Sequence, residues 1–179
     1  AASQLDDLTA GSFQAVIDDP LVTSRRDDVR RLAFCTGKVY YDLAMAPTRN
    51  PDVALIRVEE LYPWPHEQVA ALAAQYPAIE DVVWVQEEPR NQGAWTYVQP
   101  RLRASAGAAV GVRYIGRPER ASPAEGFADL HPFIIAGANL TATKARLLLM
   151  ACLMKFGSFP TAKDPLRPTP EERAATAKA

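Results

Sequence analysis

Short apolar runs alternate along this chain with stretches whose apolar positions recur at helical spacing. RLAFCT (31–36) reads as a strand, and KVYYDLAMA (38–46) as a helix broken by Pro47. DVALIRVEEL (52–61) predicts a second strand, DVVWVQEEP (81–89) a third closed by Pro89, and VRYIG (112–116) a short fourth. In HEQVAALAAQY (66–76), Val69, Leu72, Ala73 and Tyr76 fall on one helical face. The YPWP turn before it holds Tyr62 and Trp64 extended, because each precedes a proline. NQGAWTYVQPRLRA predicts a helix from an Asn91 N-cap, kinked or split at Pro100. Near-continuous apolar strands separated by helices imply βαβ crossovers and a mostly parallel sheet with helices on both faces. The expected fold is α/β, a Rossmann-like three-layer domain over residues 31–131.

The flanks differ. Residues 1–30 read as an extended lead-in, with GSFQAVIDDP ending in the turn-forming Asp-Asp-Pro. After GRPERASPAEG, the stretch TATKARLLLMACLMKFG (141–157) is apolar almost all round, as in a helix that is buried or seeks a partner. A short helix is expected in PTPEERAATAKA, with Thr169 as cap and Pro170 at its first position. Residues 132–179 are thus expected to be a helical extension of different origin with a Pro-rich end. The chain opens without methionine, as an excised or partial segment would.

Composition narrows the function. With 48% apolar and 23% charged residues, the chain has ordinary globular make-up. A formal charge of −1 gives no electrostatic reason to expect nucleic acid or an anionic membrane as partner. No apolar run reaches the length of a bilayer span, and AASQLDDLTAG lacks the features of a secretory leader. Cys35 and Cys152 both sit in apolar runs and read as buried free thiols, which suits a reducing cytoplasm.

Lys38 follows a strand and Gly37, as in a phosphate cradle, but such a loop needs glycine where Leu32 stands and Ser or Thr where Val39 stands. A plain strand-to-helix turn is the better reading, and no Gly-x-Gly-x-x-Gly occurs. Glu87 and Glu88 lie at the carboxyl end of the third strand, where α/β sheets take ligands. Neighbours on a strand face opposite ways, so they are not a matched acid/base pair. His66 and His131 are isolated from any metal-ligand spacing, and Trp64, Trp84 and Trp95 read as core or interface anchors. No catalytic or metal constellation emerges.

The blocks VALIRVEELYPWP, VVWVQEEPRNQGAW and YIGRPERASPAEG, preceded by LTAGSFQAVIDDP and FCTGKVYYDL, resemble one family closely. They are similar to the C-terminal end of the thiamine-diphosphate-dependent 2-oxoglutarate dehydrogenase component, from residue 5 to about His131. The resemblance implies a transketolase C-terminal-like domain that helps form a homodimer and packs beside upstream cofactor-binding domains. It implies a whole enzyme that decarboxylates 2-oxoglutarate, using thiamine diphosphate and Mg, and passes a succinyl group to the lipoyl arm of dihydrolipoyl succinyltransferase. The family's Gly-Asp-Gly motif is absent and its catalytic histidines fall upstream, so this segment is expected to bind no cofactor and to be inactive alone. Carried over as contact residues are Gln86, Glu87, Glu88, Asn91, Gln92, Gly93 and Trp95, with Gly93 admitting a neighbouring backbone. A rival reading is an effector module for acetyl-CoA or an adenine nucleotide, with Thr36, Gly37, Lys38, Glu59, Glu60 and Gln86 as its pocket. Against it, the basic pair after the Leu-Tyr-Pro turn of actinobacterial relatives is His66-Glu67-Gln68 here. The tail FIIAGANLTATKARLLLMACLMKFG resembles the C-terminal region of bacterial asparaginases, without their Thr-Gly-Gly-Thr nucleophile motif. This implies a join of unrelated segments.

Overall fold

The computed structural model describes residues 6, 9–46, 49–106 and 110–123. The chain divides into two units, 1–142 and 143–179, and every described residue belongs to the first. His131, Cys152 and the helices expected near the C-terminus lie outside the described residues.

The described residues form strands β1 (Val16–Ile17), β2 (Arg31–Cys35), β3 (Val53–Val58), β4 (Asp81–Pro89) and β5 (Val112–Arg117). Helices α1 (Val39–Ala44), α2 (His66–Ala73) and α3 (Trp95–Ser105) connect them, with a 3-10 helix at Thr23–Asp28. The sheet order is β1-β3-β2-β4-β5. β2 runs parallel to both β3 and β4, and β4 parallel to β5, while β1 is antiparallel to β3. The four strands read from the sequence are all present, and the mostly parallel α/β expectation holds.

Because the central strands alternate between two covered faces, nearly every position in them is apolar. Leu32, Phe34, Ala54, Ile56, Val82 and Trp84 pack on one face against Val69, Leu72 and Tyr76 of the α2 region and Trp95, Val98 and Leu102 of α3. Ala33, Cys35, Val53, Leu55, Val83 and Val85 face the other way, onto Val39 and Leu43 of α1. The amino ends of the strands are tied by charge. Arg31, fully buried, donates to Asp81 at 2.6 Å, directly across the ladder, and Arg113 donates to both oxygens of the same carboxylate. Removing Asp81 would take the counter-charge from the buried Arg31, at a cost of about 3–5 kcal/mol.

Three local expectations need correction. β3 stops at Val58, because the next two amides, of Glu59 and Glu60, turn to the Ala15 carbonyl. α3 starts at Trp95, and Asn91 does not cap it; the Asn91 side chain instead donates to the Arg120 carbonyl and accepts from the Arg120 amide. The helix also runs unbroken through Pro100. Thr96, whose carbonyl that proline leaves without its amide partner, is exposed to water, as is Pro100.

The lead-in contributes the fifth strand, β1, which the sequence reading did not anticipate. Its hold on the sheet comes from Asp18 and Asp19. Adjacent residues of an extended chain point opposite ways. Asp18 accepts from the Tyr76 hydroxyl and from Arg26. Asp19, only 1% exposed, accepts the Leu55 amide of β3 at 2.9 Å and the Leu21 amide at 3.0 Å, and pairs with Arg49. The two-residue β1 cannot reach Leu55, so a side-chain carboxylate completes that edge of β3.

Asp19→Asn should therefore lower stability by about 3 kcal/mol, since it leaves the Arg49 guanidinium without its counter-charge and weakens two buried bonds. Urea melts should show a lower midpoint with an unchanged slope; an unaltered midpoint would remove Asp19 from this role. Alkaline pH acts on another buried group. Burial pushes the Cys35 thiol from 9.0 up to about 12. An acid that holds its proton more tightly when folded stabilises the fold fully below its unfolded value and loses that contribution as pH rises through the folded one. Stability measured by urea melts should thus fall between pH 9 and 12, and the fall should be shallower in Cys35→Ala.

Candidate functional site

The topology fixes where a ligand would bind. From the central β2 the chain moves outward to β3 through α1, on one face. From β4 it moves outward to β5 through α3, on the other. The loops after β2 and β4 therefore part, and open α/β sheets take ligands in that crevice. Here it is bridged. Lys38, on the loop after β2, donates to Asp42 one helical turn away at 2.6 Å and lies 3.8 Å from Glu87 of β4. Asp42 holds the ammonium above the usual lysine range, with Glu87 adding to it. Lys38 is exposed and already balanced by two carboxylates, a poor start for binding an anion.

The rest of the rim is acidic too. Glu59 receives Arg57, whose guanidinium also lies over the Tyr40 ring at 4.6 Å, and Glu60 is half-buried beside it. Glu87 and Glu88, respectively half-buried and exposed, line a cleft of about 300 Å3 with Arg117 and Pro123. Among the described residues, no group of three His, Cys, Asp or Glu side chains is placed to hold a metal. His66, on the exposed start of α2, meets only the Ser105 hydroxyl, at 2.9 Å, which also accepts from Trp64 Nε1.

The QEEPRNQGAW block is organised around one amide. Gln86 is 2% exposed. Its Oε1 accepts from Trp84 Nε1 at 2.9 Å and from the Trp95 backbone N–H at 3.0 Å. Both are obligate donors, so the orientation of the amide is fixed. Its Nε2 donates to the carbonyls of Glu88 and Pro89. The side chain thus ties the irregular end of β4, where the register to β5 shifts, to the first turn of α3. It satisfies one of that helix's orphan amides, the task expected of Asn91. Asn91 and Gln92, both exposed, bind the 120–121 loop instead.

Gly93 has a different reason from the one expected. A Cβ there would lie 2.3 Å from Gln86 Nε2 and 2.6 Å from its Cδ, so what approaches closely is a buried side chain, not a neighbouring backbone. Trp95 is buried, tilted against Tyr114 at 5.3 Å between ring centres. The Tyr114 hydroxyl donates to the Arg117 and Glu88 carbonyls, and burial pushes its phenol up to about 12. Spacing alone gave no sign of Gln86 as the hub. The clue was a Gln two residues after a buried Trp and seven before a Gly, a pattern without a general rule behind it.

Gly93→Ala must expel a side chain held by four hydrogen bonds, and should cost about 2–4 kcal/mol in a denaturant melt. In a Gln86→Ala background the same change should cost far less, because the atoms it strikes are gone; equal costs in both backgrounds would refute the contact.

Residues 2–134 match the family described as 2-oxoglutarate dehydrogenase C-terminal, ending close to His131, where the resemblance in the sequence stops. The 2-oxoglutarate dehydrogenase E1 component of Geobacillus kaustophilus is 46% identical over 134 residues, covering 73% of this chain and 14% of its own length. That of an Exiguobacterium species is 42% identical over 135 residues, with the same shares, and that of Staphylococcus aureus 41%, covering 74% and 14%. The chain spans about a seventh of the length of these curated relatives. The matched region contains the whole described sheet and every residue of the Gln86 hub: the chain belongs to the 2-oxoglutarate dehydrogenase C-terminal family.

Proposed function

We propose that this domain is the C-terminal supporting lobe of a 2-oxoglutarate dehydrogenase E1 polypeptide, without chemistry of its own. The observation that carries the reading is the crevice bridged by Lys38 and Glu87, in a chain that covers only 14% of the length of its E1 relatives. In the proposed whole enzyme, 2-oxoglutarate is decarboxylated and its succinyl group passes to the lipoyl arm of dihydrolipoyl succinyltransferase. The lobe's part is to pack beside the upstream domains and join a homodimer. The cytoplasm is the proposed setting. Among the described residues no helix is long and apolar enough to cross a membrane.

At the crevice and the cleft, the described residues do not fit thiamine diphosphate with its magnesium. A diphosphate needs unbalanced cations or a glycine-rich run of amides, whereas the corner after β2 has one glycine and a lysine between two carboxylates. The 300 Å3 cleft presents two glutamates against one arginine. That cofactor would belong to upstream domains. The same charge balance argues against the acetyl-CoA or nucleotide reading, which would need phosphate at Lys38.

The test joins residues 1–134 of this chain to the upstream part of the Geobacillus kaustophilus relative, in place of its matching segment. This chimera should release CO2 from 2-oxoglutarate when supplied with thiamine diphosphate and Mg, and the 179-residue chain alone should release none. Turnover by the chain alone, or a folded chimera without activity, would refute the supporting role.

A further inference from the structure

Four large apolar side chains are exposed on the described surface, Phe13, Leu21, Met45 and Tyr62, and two of them share one corner of the sheet. Phe13 is 74% exposed and Tyr62 is 83% exposed. The Ala15 carbonyl accepts the amides of both Glu59 and Glu60, so the segments carrying these residues leave the sheet from a shared anchor. Each lies two residues from that anchor, within roughly 7 Å of chain. The half-buried Leu61 and Trp64, one and two residues from Tyr62 in the chain, pack against the core.

Exposed aromatic side chains are the anatomy of an interface centre, where such residues are enriched. By contrast, Gln86 of the QEEPRNQGAW block points inward, and Asn91 and Gln92 bind the domain's own 120–121 loop.

We propose that the Phe13–Tyr62 corner is the face on which this lobe docks against the module preceding it in the same polypeptide. This rests on the supporting-lobe reading and specifies its surface. Two observations select that occupant. The relatives hold most of their length outside the matched C-terminal region, so a large neighbour is available in cis. The chain reaches the sheet through residues 10–15, so anything attached upstream is tethered at the patch itself, which raises its effective concentration there.

Hydroxyl-radical footprinting reads phenylalanine and tyrosine exposure directly and needs no variant. In the chimera, labelling of Phe13 and Tyr62 should be roughly tenfold lower than in the 179-residue chain, as for side chains from which water is excluded. Equal labelling in the two overturns the proposal. So does protection already present in the 179-residue chain, which, if it grows with protein concentration, assigns the corner to a second copy. CO2 release by the same chimera is scored separately: an active enzyme with both residues labelled sinks this surface alone, and an inactive one with both protected sinks the supporting role alone.

Discussion

A sheet covered on both faces has no water with which to satisfy its backbone, and this constraint shapes every irregular part of the domain. Where strands pair, the ladder answers it. Two places cannot be answered that way, and in each a single polar side chain stands in for missing main chain. At the β3 edge, Asp19 accepts the Leu55 amide that the two-residue β1 does not reach. At the end of β4, Gln86 takes up the carbonyls of Glu88 and Pro89 and the first amide of α3. Both side chains are almost wholly buried, and every bond they make would be an uncompensated polar group without them. The apolar core supplies the bulk of the stabilisation, but these two residues let the chain enter and leave the sheet at defined points.

The regular part of this fold was legible in the sequence because it follows from periodicity. Strands β2 to β5 are near-continuous apolar runs, and the buried face of α2 is the one that its Val69, Leu72 and Ala73 spacing marks. The irregular parts were misread for a common reason. Asn91 looks like a cap because asparagine before an apolar run usually is one, yet the true partner of the α3 amide is nine residues upstream on a strand. Asp18-Asp19-Pro20 looks like a turn and does open one, closed by the Val22 amide on the Asp19 carbonyl, but its two carboxylates are also anchors for Tyr76 and Leu55, far away in sequence. Side-chain bonds of long range leave no local period, so pattern reading attributes such residues to the nearest local motif.

The same distinction separates family membership from the location of a site. The QEEPRNQGAW block was specific enough to identify the family, and it was natural to read it as contact surface. Its members are tied to one another sterically. Gln86 needs Trp84 as donor and the Pro89 carbonyl as acceptor, and Gly93 must lack a Cβ for that side chain to fit. Trp95 must then fill the space under Tyr114. A motif can be demanding because its members constrain one another, with no ligand involved.

Lys38 stands at the rim of the sheet. A lysine at the switch point of an α/β sheet is where anion binding would be sought first, and its placement is right. Its electrostatics are not. Asp42 lies one turn along the helix that Lys38 begins, and Glu87 enters from the neighbouring strand, so the cation is balanced within the domain. An incoming phosphate would have to displace one carboxylate and remain near the other, and in a surface crevice open to water the lysine gains little by the exchange. The domain has its most exposed large apolar groups elsewhere, among them Phe13 and Tyr62 beside the segment by which the chain arrives. A module built to bind a small molecule would invert that distribution, with an open polar rim and a plain corner.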